Sequence, residues 1–104
     1  MEQPVFSYAC TAESIPEGAI KPLEINGNSF LLCKFEGRIY AVENQCSHAE
    51  QPLECGRLRD GWISCPYHGA RFDLETGQPI KGPAASPIKT FPVRINGEFI
   101  EVAV

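Results

Sequence analysis

The chain has 104 residues, which is enough for one domain with its own hydrophobic core and too few for two. Its net charge of −4 and the lack of a basic cluster in the sequence argue against a nucleic-acid-binding protein. No apolar run approaches the roughly 20 residues that a membrane helix needs, and residues 1–4 do not begin a signal peptide. We therefore expect a cytoplasmic protein without a membrane segment.

The first half of the chain is predicted to form short strands joined by tight turns. Asn26-Gly27 is typical of a two-residue hairpin, and Glu36-Gly37 turns the chain again. Residues 11–14 are predicted to form one helical turn, which Pro16 ends. The predicted strands are residues 5–10, 19–25, 29–35 and 38–42.

The second half combines further strand signals with a proline-rich loop. Asp60-Gly61 predicts a hairpin that leads into a strand at residues 62–64, where we expect Trp62 to join the core. Residues 78–87 contain three prolines and are predicted to be a stiff loop, because proline cannot donate a hydrogen bond within a sheet. The other predicted strands are residues 70–73, 91–95 and 99–104, the last two separated by a turn at Asn96-Gly97.

Many short strands with almost no helical pattern predict an all-β fold of the sandwich or barrel type. We expect a single domain, residues 1–104. Its central segment, approximately residues 44–73, has fewer strand-forming residues than its flanks. We therefore predict that this segment is a small subdomain held by metal rather than by a core of its own, so that metal binding contributes to folding.

Both histidines and two of the five cysteines lie in that central segment. Cys46-Ser47-His48 and Cys65-Pro66-Tyr67-His68 each supply one thiol and one imidazole, a ligand set that suits tetrahedral zinc or a [2Fe–2S] centre with two histidines on one iron. Clustered Cys and His in a chain without an export signal favour metal ligands over disulfides. Zinc-finger spacing places both cysteines before both histidines, which is not the order here.

The other three cysteines have no ligand partner in the sequence. Cys10 and Cys33 lie in apolar, strand-like stretches, and we expect them to act as small buried side chains. Cys55 has no predicted role.

The two pairs, with the continuation Gly69-Ala70-Arg71-Phe72-Asp73, resemble the Rieske [2Fe–2S] family, and most closely the soluble Rieske ferredoxins of bacterial aromatic-ring-hydroxylating dioxygenase systems. The resemblance covers nearly the whole chain. It implies a Rieske-type antiparallel β-sandwich basal domain with a small inserted cluster-binding subdomain at about residues 44–73. It also implies that the proline loop, about residues 78–87, lies near the cluster.

The resemblance further implies one [2Fe–2S] Rieske cluster, with Cys46 and Cys65 on the inner iron and His48 and His68 on the outer iron. The implied function is that of a one-electron carrier between a flavin-containing ferredoxin reductase and a terminal oxygenase, with no catalysis of its own. The oxygenase itself is excluded, because no second metal-ligand group remains once both histidines are used. A carrier that approaches two partners is expected to be a monomer.

Four positions that differ from the respiratory-complex branch of the family imply a low reduction potential. That branch has a disulfide-forming cysteine in each loop, where this chain has Gln51 and Tyr67, and serine and tyrosine hydroxyls where it has Ala70 and Phe72. Alanine and phenylalanine side chains cannot donate hydrogen bonds to the cluster, so the reduced state is stabilised less. We expect a potential at the low end of the Rieske range, about −150 mV.

Two other functions remain open on the sequence, namely the small subunit of an NADH-dependent nitrite reductase and a zinc-binding structural module. The charge distribution adds a hypothesis about partners. Residues 1–52 hold seven acidic and three basic residues, whereas residues 53–104 hold six of each. An acidic surface in the first half could steer a basic partner protein, or could serve only to keep the protein dissolved.

Overall fold

A computed structural model describes residues 5–46, 52–66, 69–81 and 86–104. The described parts are almost entirely β-structure, with a single 3₁₀ turn at Ala12–Ser14. No helix in these parts is long and apolar enough to cross a membrane. The strands are β1 (Ser7–Thr11), β2 (Ile20–Ile25), β3 (Asn28–Phe35), β4 (Arg38–Glu43), β5 (Arg57–Arg59), β6 (Trp62–Ser64), β7 (Arg71–Asp73), β8 (Pro79–Lys81), β9 (Thr90–Phe91), β10 (Val93–Asn96) and β11 (Phe99–Val102).

The strands form three antiparallel sheets. The basal sheets have the strand orders β1-β11-β10 and β2-β3-β4-β9, and the third sheet, in the central part of the chain, has the order β5-β6-β7-β8. The predicted all-β fold is therefore confirmed. The chain leaves the second basal sheet after β4, forms the third sheet, and returns through β9, which pairs with β4 at Ala41 and Phe91.

Strand β3 is the centre of the molecule, because it is covered on both faces. Its residues Phe30, Leu31, Leu32 and Cys33 are all fully buried. Since successive side chains of a strand point to opposite faces, Phe30 and Leu32 pack with the first basal sheet, and Leu31 and Cys33 pack towards the third sheet. A continuous apolar run is the pattern expected of a strand buried on both sides.

The third sheet thus has an apolar core, which the sequence did not lead us to expect. Ile63, Phe72 and Leu74 are buried in one cluster with Leu31 of β3. Each such large side chain contributes about 1.5–3 kcal/mol when it is fully buried. The expectation that metal takes the place of a core in the central segment therefore needs correction, because its apolar side chains share a core with the second face of β3.

Three details of the predicted elements also need correction. Residues 79–81 of the predicted proline loop form β8, where proline is tolerated because β8 lies at the edge of its sheet. The last turn lies one residue later than predicted, since Asn96 still pairs with Phe99. Trp62 is only partly buried; its neighbour Ile63 takes the core position, and strand alternation turns the indole to the outer face.

Candidate metal centre

Cys46 lies just after β4, in the segment that leads from the basal sheet into the third sheet. Its side chain is fully buried, in the apolar cluster that also contains Leu53 and Phe72. The two residues that follow β4, Asn44 and Gln45, connect the strand to this cysteine. The position of Cys46 is therefore set by the end of a strand in the best-buried part of the fold.

Asn44 fixes both ends of the loop that follows Cys46. Its backbone N–H donates to the Ser29 carbonyl at 3.2 Å, which ties it to β3. Its side-chain Oδ1 accepts the N–H groups of Leu53 at 2.8 Å and Glu54 at 3.1 Å, and its Nδ2 donates to Glu54 Oε1 at 3.2 Å. One side chain thus links the segment before the loop to the residues that follow it, Leu53 and Glu54. Sequence reasoning did not identify Asn44, although asparagine is favoured where the chain turns because its side chain bonds to the backbone.

Cys65 lies at the start of the loop between β6 and β7. Its N–H donates to the Ala70 carbonyl at 2.7 Å, and its own carbonyl accepts the N–H of Gly69 at 3.1 Å. The loop is therefore closed at its base by two backbone hydrogen bonds. Cys65 is 2 % exposed, whereas Gly69 near the other end of the loop is exposed.

The surroundings of the two cysteines are apolar. Cys46 and Cys65 belong to one buried cluster, together with Ala70 and Phe72, which are both fully buried. Neither of these two side chains carries a hydrogen-bond donor. Paired thiolates in a buried apolar site would be costly without a cation, and metal is the chemistry that makes such a site favourable. The donor set described here fits the thiolate half of a [2Fe–2S] centre.

Cys33 is a third thiol in the same cluster, and it lies within β3 and not in either ligand loop. It is fully buried in β3, and the loss of hydration raises its pKa to about 12. It therefore stays a protonated thiol, as expected of a small core side chain. Cys10 is likewise buried, as predicted, and Cys55 is exposed.

The chain that returns from the proline loop is held tightly against the third sheet. The N–H of Ile88 donates to the Gly77 carbonyl at 2.9 Å, and Ile88 is 3 % exposed in the same cluster as the cysteines. Gly77 has a φ of +77°, and a Cβ on it would lie 2.1 Å from the Ile88 oxygen. Only glycine fits this position.

The remaining predicted site residues lie outside the described residues: His48, His68, Gln51, Tyr67 and 82–85 of the proline loop. Next to these segments, Pro52 and Pro87 are exposed, whereas Leu53 is fully buried. In residues 5–46, 52–66, 69–81 and 86–104, no group of three or more His, Cys, Asp or Glu side chains could hold a metal.

Comparison with known proteins gives a consistent result. The Rieske [2Fe–2S] domain matches residues 6–92. The ferredoxin component of the naphthalene 1,2-dioxygenase/salicylate 5-hydroxylase systems of Ralstonia sp is 39 % identical over 96 residues, which cover 92 % of this chain and 91 % of that protein.

Two solved structures agree in fold. The ferredoxin of carbazole 1,9a-dioxygenase from Nocardioides aromaticivorans IC177 superimposes with a TM-score of 0.90 and 30 % identity, over 95 % of this chain and 97 % of that one. A chain from the complex of reduced oxygenase and oxidized ferredoxin in carbazole 1,9a-dioxygenase has a TM-score of 0.89 and 27 % identity, over 97 % and 94 % of the two chains. This chain therefore belongs to the Rieske [2Fe–2S] domain family, and its cofactor is a Rieske [2Fe–2S] cluster.

Proposed function

We propose that this protein is the ferredoxin component of an aromatic-ring-hydroxylating dioxygenase system, and that it takes single electrons from a flavin-containing reductase and passes them to a terminal oxygenase. The observation that carries this proposal is the extent of the match. The similarity spans 91 % of the Ralstonia ferredoxin component and 97 % of the carbazole dioxygenase ferredoxin. Those relatives are named as electron-transfer components and not as oxygenases.

The proposed ligands are Cys46 and Cys65 for one iron and His48 and His68 for the other. The burial of both cysteines supports the assignment of the thiolates to the inner iron. The exposure of Gly69, next to His68 in the sequence, supports an imidazole side that partners can reach. When it is bound, the cluster supplies one-electron transfer at a potential set by its surroundings. The cluster-binding subdomain is assigned to approximately residues 44–73, within a single domain of residues 1–104.

The apolar shell around the two cysteines supports a low potential. Ala70 and Phe72 are buried beside Cys65 and offer no side-chain donor. Donors to the cluster sulfurs favour the reduced state, which carries one more negative charge, so their absence lowers the potential. A carrier near the lower limit of about −150 mV suits transfer from a flavin to an oxygenase.

The partner on the oxygenase side is supported by the similarity of this chain to one chain of a solved complex of reduced oxygenase and oxidized ferredoxin. The reductase on the other side is the electron source that such a carrier requires. We further propose that the protein acts as a monomer in the cytoplasm, since a carrier must present one cluster edge to two partners in turn.

Reconstitution tests the function directly. The reductase and oxygenase of the same system, supplied with NADH and an aromatic substrate, should form the hydroxylated product only when this protein is present. Cys65→Ser protein, which should lack the cluster, is the matched control. Product formation without the protein, or co-purification of the protein with a sirohaem-containing nitrite reductase subunit, would contradict the proposal.

A further inference from the structure

Three arginines form one surface on the outer side of the third sheet. In the register of β5, β6 and β7, Arg57 pairs with Ser64, which pairs with Arg71, and Arg59 pairs with Trp62. Paired residues lie on the same side of a sheet. We call this surface, made of Arg57, Arg59, Trp62 and Arg71, the arginine face. Its residues line an open groove of about 330 Å³ that reaches Gly69.

The arginine face is cationic on balance, with three arginines and one carboxylate. The carboxylate is that of Asp73, which pairs with Trp62 on the same side of the sheet, and its Oδ1 accepts the N–H groups of Glu75 and Thr76. Among the described residues, the ion pair is between Arg94 and Glu101. None of the three arginines of the arginine face forms an ion pair with a described carboxylate. The guanidinium carbon of Arg71 lies 4.4 Å from the centre of the Trp62 ring, so the aromatic face holds this cation in place. Arg57 and Arg59 are exposed. Three neighbouring cations repel one another, and an anionic partner would relieve that repulsion.

The charge of this surface is opposite in sign to the net charge of the chain. The protein carries −4, yet three of its nine basic residues meet on one side of one small sheet. No basic cluster is evident in the sequence, because Arg57 and Arg71 come to one face only when β5 and β7 pair with β6, on either side of Ser64. A cationic surface therefore exists beside the acidic excess that the first half of the chain carries in its sequence.

The arginine face lies beside the proposed cluster. Gly69 lines the groove, and the Gly69 N–H donates to the carbonyl of Cys65, one of the proposed ligands. Gly69 also follows His68 directly in the sequence. A protein docked on the arginine face would therefore be close to the proposed imidazole side of the cluster, where short-range electron transfer is possible.

We propose that the arginine face is the docking surface for an acidic face of the flavin-containing reductase, an inference that rests on the function proposed above. The change in cluster charge on reduction indicates that this partner is the reductase and not the oxygenase. Two ferric ions, two sulfides and two thiolates sum to zero, and one-electron reduction makes the cluster −1. An acidic partner therefore binds the oxidised carrier more tightly than the reduced one. That order suits an electron donor, which must bind the oxidised form and release the reduced form.

Electron transfer from the reductase to the cluster requires no proton transfer to or from this chain. One electron leaves the reduced flavin of the reductase, and one ferric ion of the cluster becomes ferrous. The arginines take no part in the electron movement. They contribute encounter rate and orientation, which are the usual effects of complementary charge at an interface.

The test is a pair of double charge reversals with equal net charge. Arg57→Glu/Arg59→Glu alters the arginine face, and Lys21→Glu/Arg38→Glu makes the same change in the basal sheet. The second-order rate of reduction by the pre-reduced reductase is measured by stopped flow at low ionic strength. Variants are compared at equal cluster content and after their midpoint potentials are shown to match. Arg57→Lys/Arg59→Lys, which keeps the charge, is a further control.

We expect the arginine-face reversal to slow reduction by at least about tenfold, a loss that shrinks at high salt, and the basal reversal to change it by less than about threefold. The lysine variant should retain most of the rate. Equal effects of the two reversals, or a larger effect on electron transfer to the oxygenase than on reduction by the reductase, would overturn the inference. Failure of the wild-type protein itself to accept electrons would instead overturn the proposed function, and this inference with it.

Discussion

The side-chain oxygen of Asn44 accepts the backbone N–H of Leu53 at 2.8 Å, across the loop that begins at Cys46. The same oxygen also accepts the N–H of Glu54. The side-chain amide of Asn44, directly after β4, thus anchors the backbone at the C-terminal end of the first ligand loop. This contact fixes the backbone of Leu53, whose side chain is fully buried in the same apolar cluster as Cys46.

Replacement of Asn44 with alanine should therefore weaken the first ligand loop. Two backbone N–H groups lose their acceptor, and we expect a loss of about 1–3 kcal/mol in the free energy of unfolding. Cluster release on incubation with a chelator should also be faster. Asn44→Asp/Glu54→Gln keeps an acceptor oxygen at position 44 without placing two carboxylates together, and should lose less on both measures. Chemical denaturation and the decay of visible absorbance check this, and an alanine variant as stable as the wild type would refute the role.

Gly77 is predicted to be irreplaceable, in contrast to Gly97. Both have positive φ, +77° and +64°, so Ala carries a similar backbone strain at either position. At Gly77 the new Cβ would also collide with the Ile88 oxygen, whereas at Gly97 no atom lies within 4 Å. Gly77→Ala should cost about 1–3 kcal/mol more than Gly97→Ala in thermal or urea unfolding. Equal losses would contradict the observed packing of the returning chain.

Glu17 should make stability depend on pH. Its carboxylate accepts the N–H of Gly37 at 3.0 Å and of Glu36 at 2.6 Å, and these two bonds, with the charge of Lys34, lower its pKa below 4.5. A lowered folded-state pKa stabilises the protein above the unfolded pKa, and this contribution is lost as the pH falls through the folded pKa.

The stability difference between the wild type and Glu17→Gln should accordingly be largest near neutral pH and shrink in acid. Thermal unfolding over the acid range measures this difference, and NMR titration of the Glu17 carboxyl measures the pKa. A carboxyl that titrates at or above 4.5, or a stability difference that is constant with pH, would count against the contact.

Among the cysteines, only the two proposed ligands should be needed for the cluster. Cys65→Ser should abolish the visible spectrum, because oxygen replaces a buried thiolate ligand. Cys55→Ser, at an exposed position, should leave the spectrum unchanged. In the folded protein Cys33 should resist alkylation, since burial raises its pKa to about 12. A Cys65→Ser protein with the full spectrum would show that the ligand assignment is wrong.

Much of the fold could be predicted from local pattern. Asn26-Gly27 and Asp60-Gly61 mark hairpins because residues there have the positive φ that such turns require. The burial of Cys33 followed from its apolar strand. These features depend on a few neighbouring residues, and short-range chemistry decides them.

Features that depend on distant pairing were not predicted. The apolar character of Trp62 predicts a core position, but the choice between Trp62 and Ile63 depends on which face of the strand meets β3. The arginine face likewise exists only because β6 aligns β5 with β7. Asn44 acts across a loop, and no local pattern indicated that its partners would be Leu53 and Glu54.

We predict that the Rieske cluster of this chain has a low potential, because its apolar shell offers no side-chain donor at Ala70 and Phe72. Potentiometric titration of the purified protein, followed by visible absorbance, tests it most directly. We predict a red-brown protein that accepts one electron with a midpoint near the low end of the Rieske range, about −150 mV. A midpoint above about +100 mV, or a colourless protein with stoichiometric zinc, would contradict the claim.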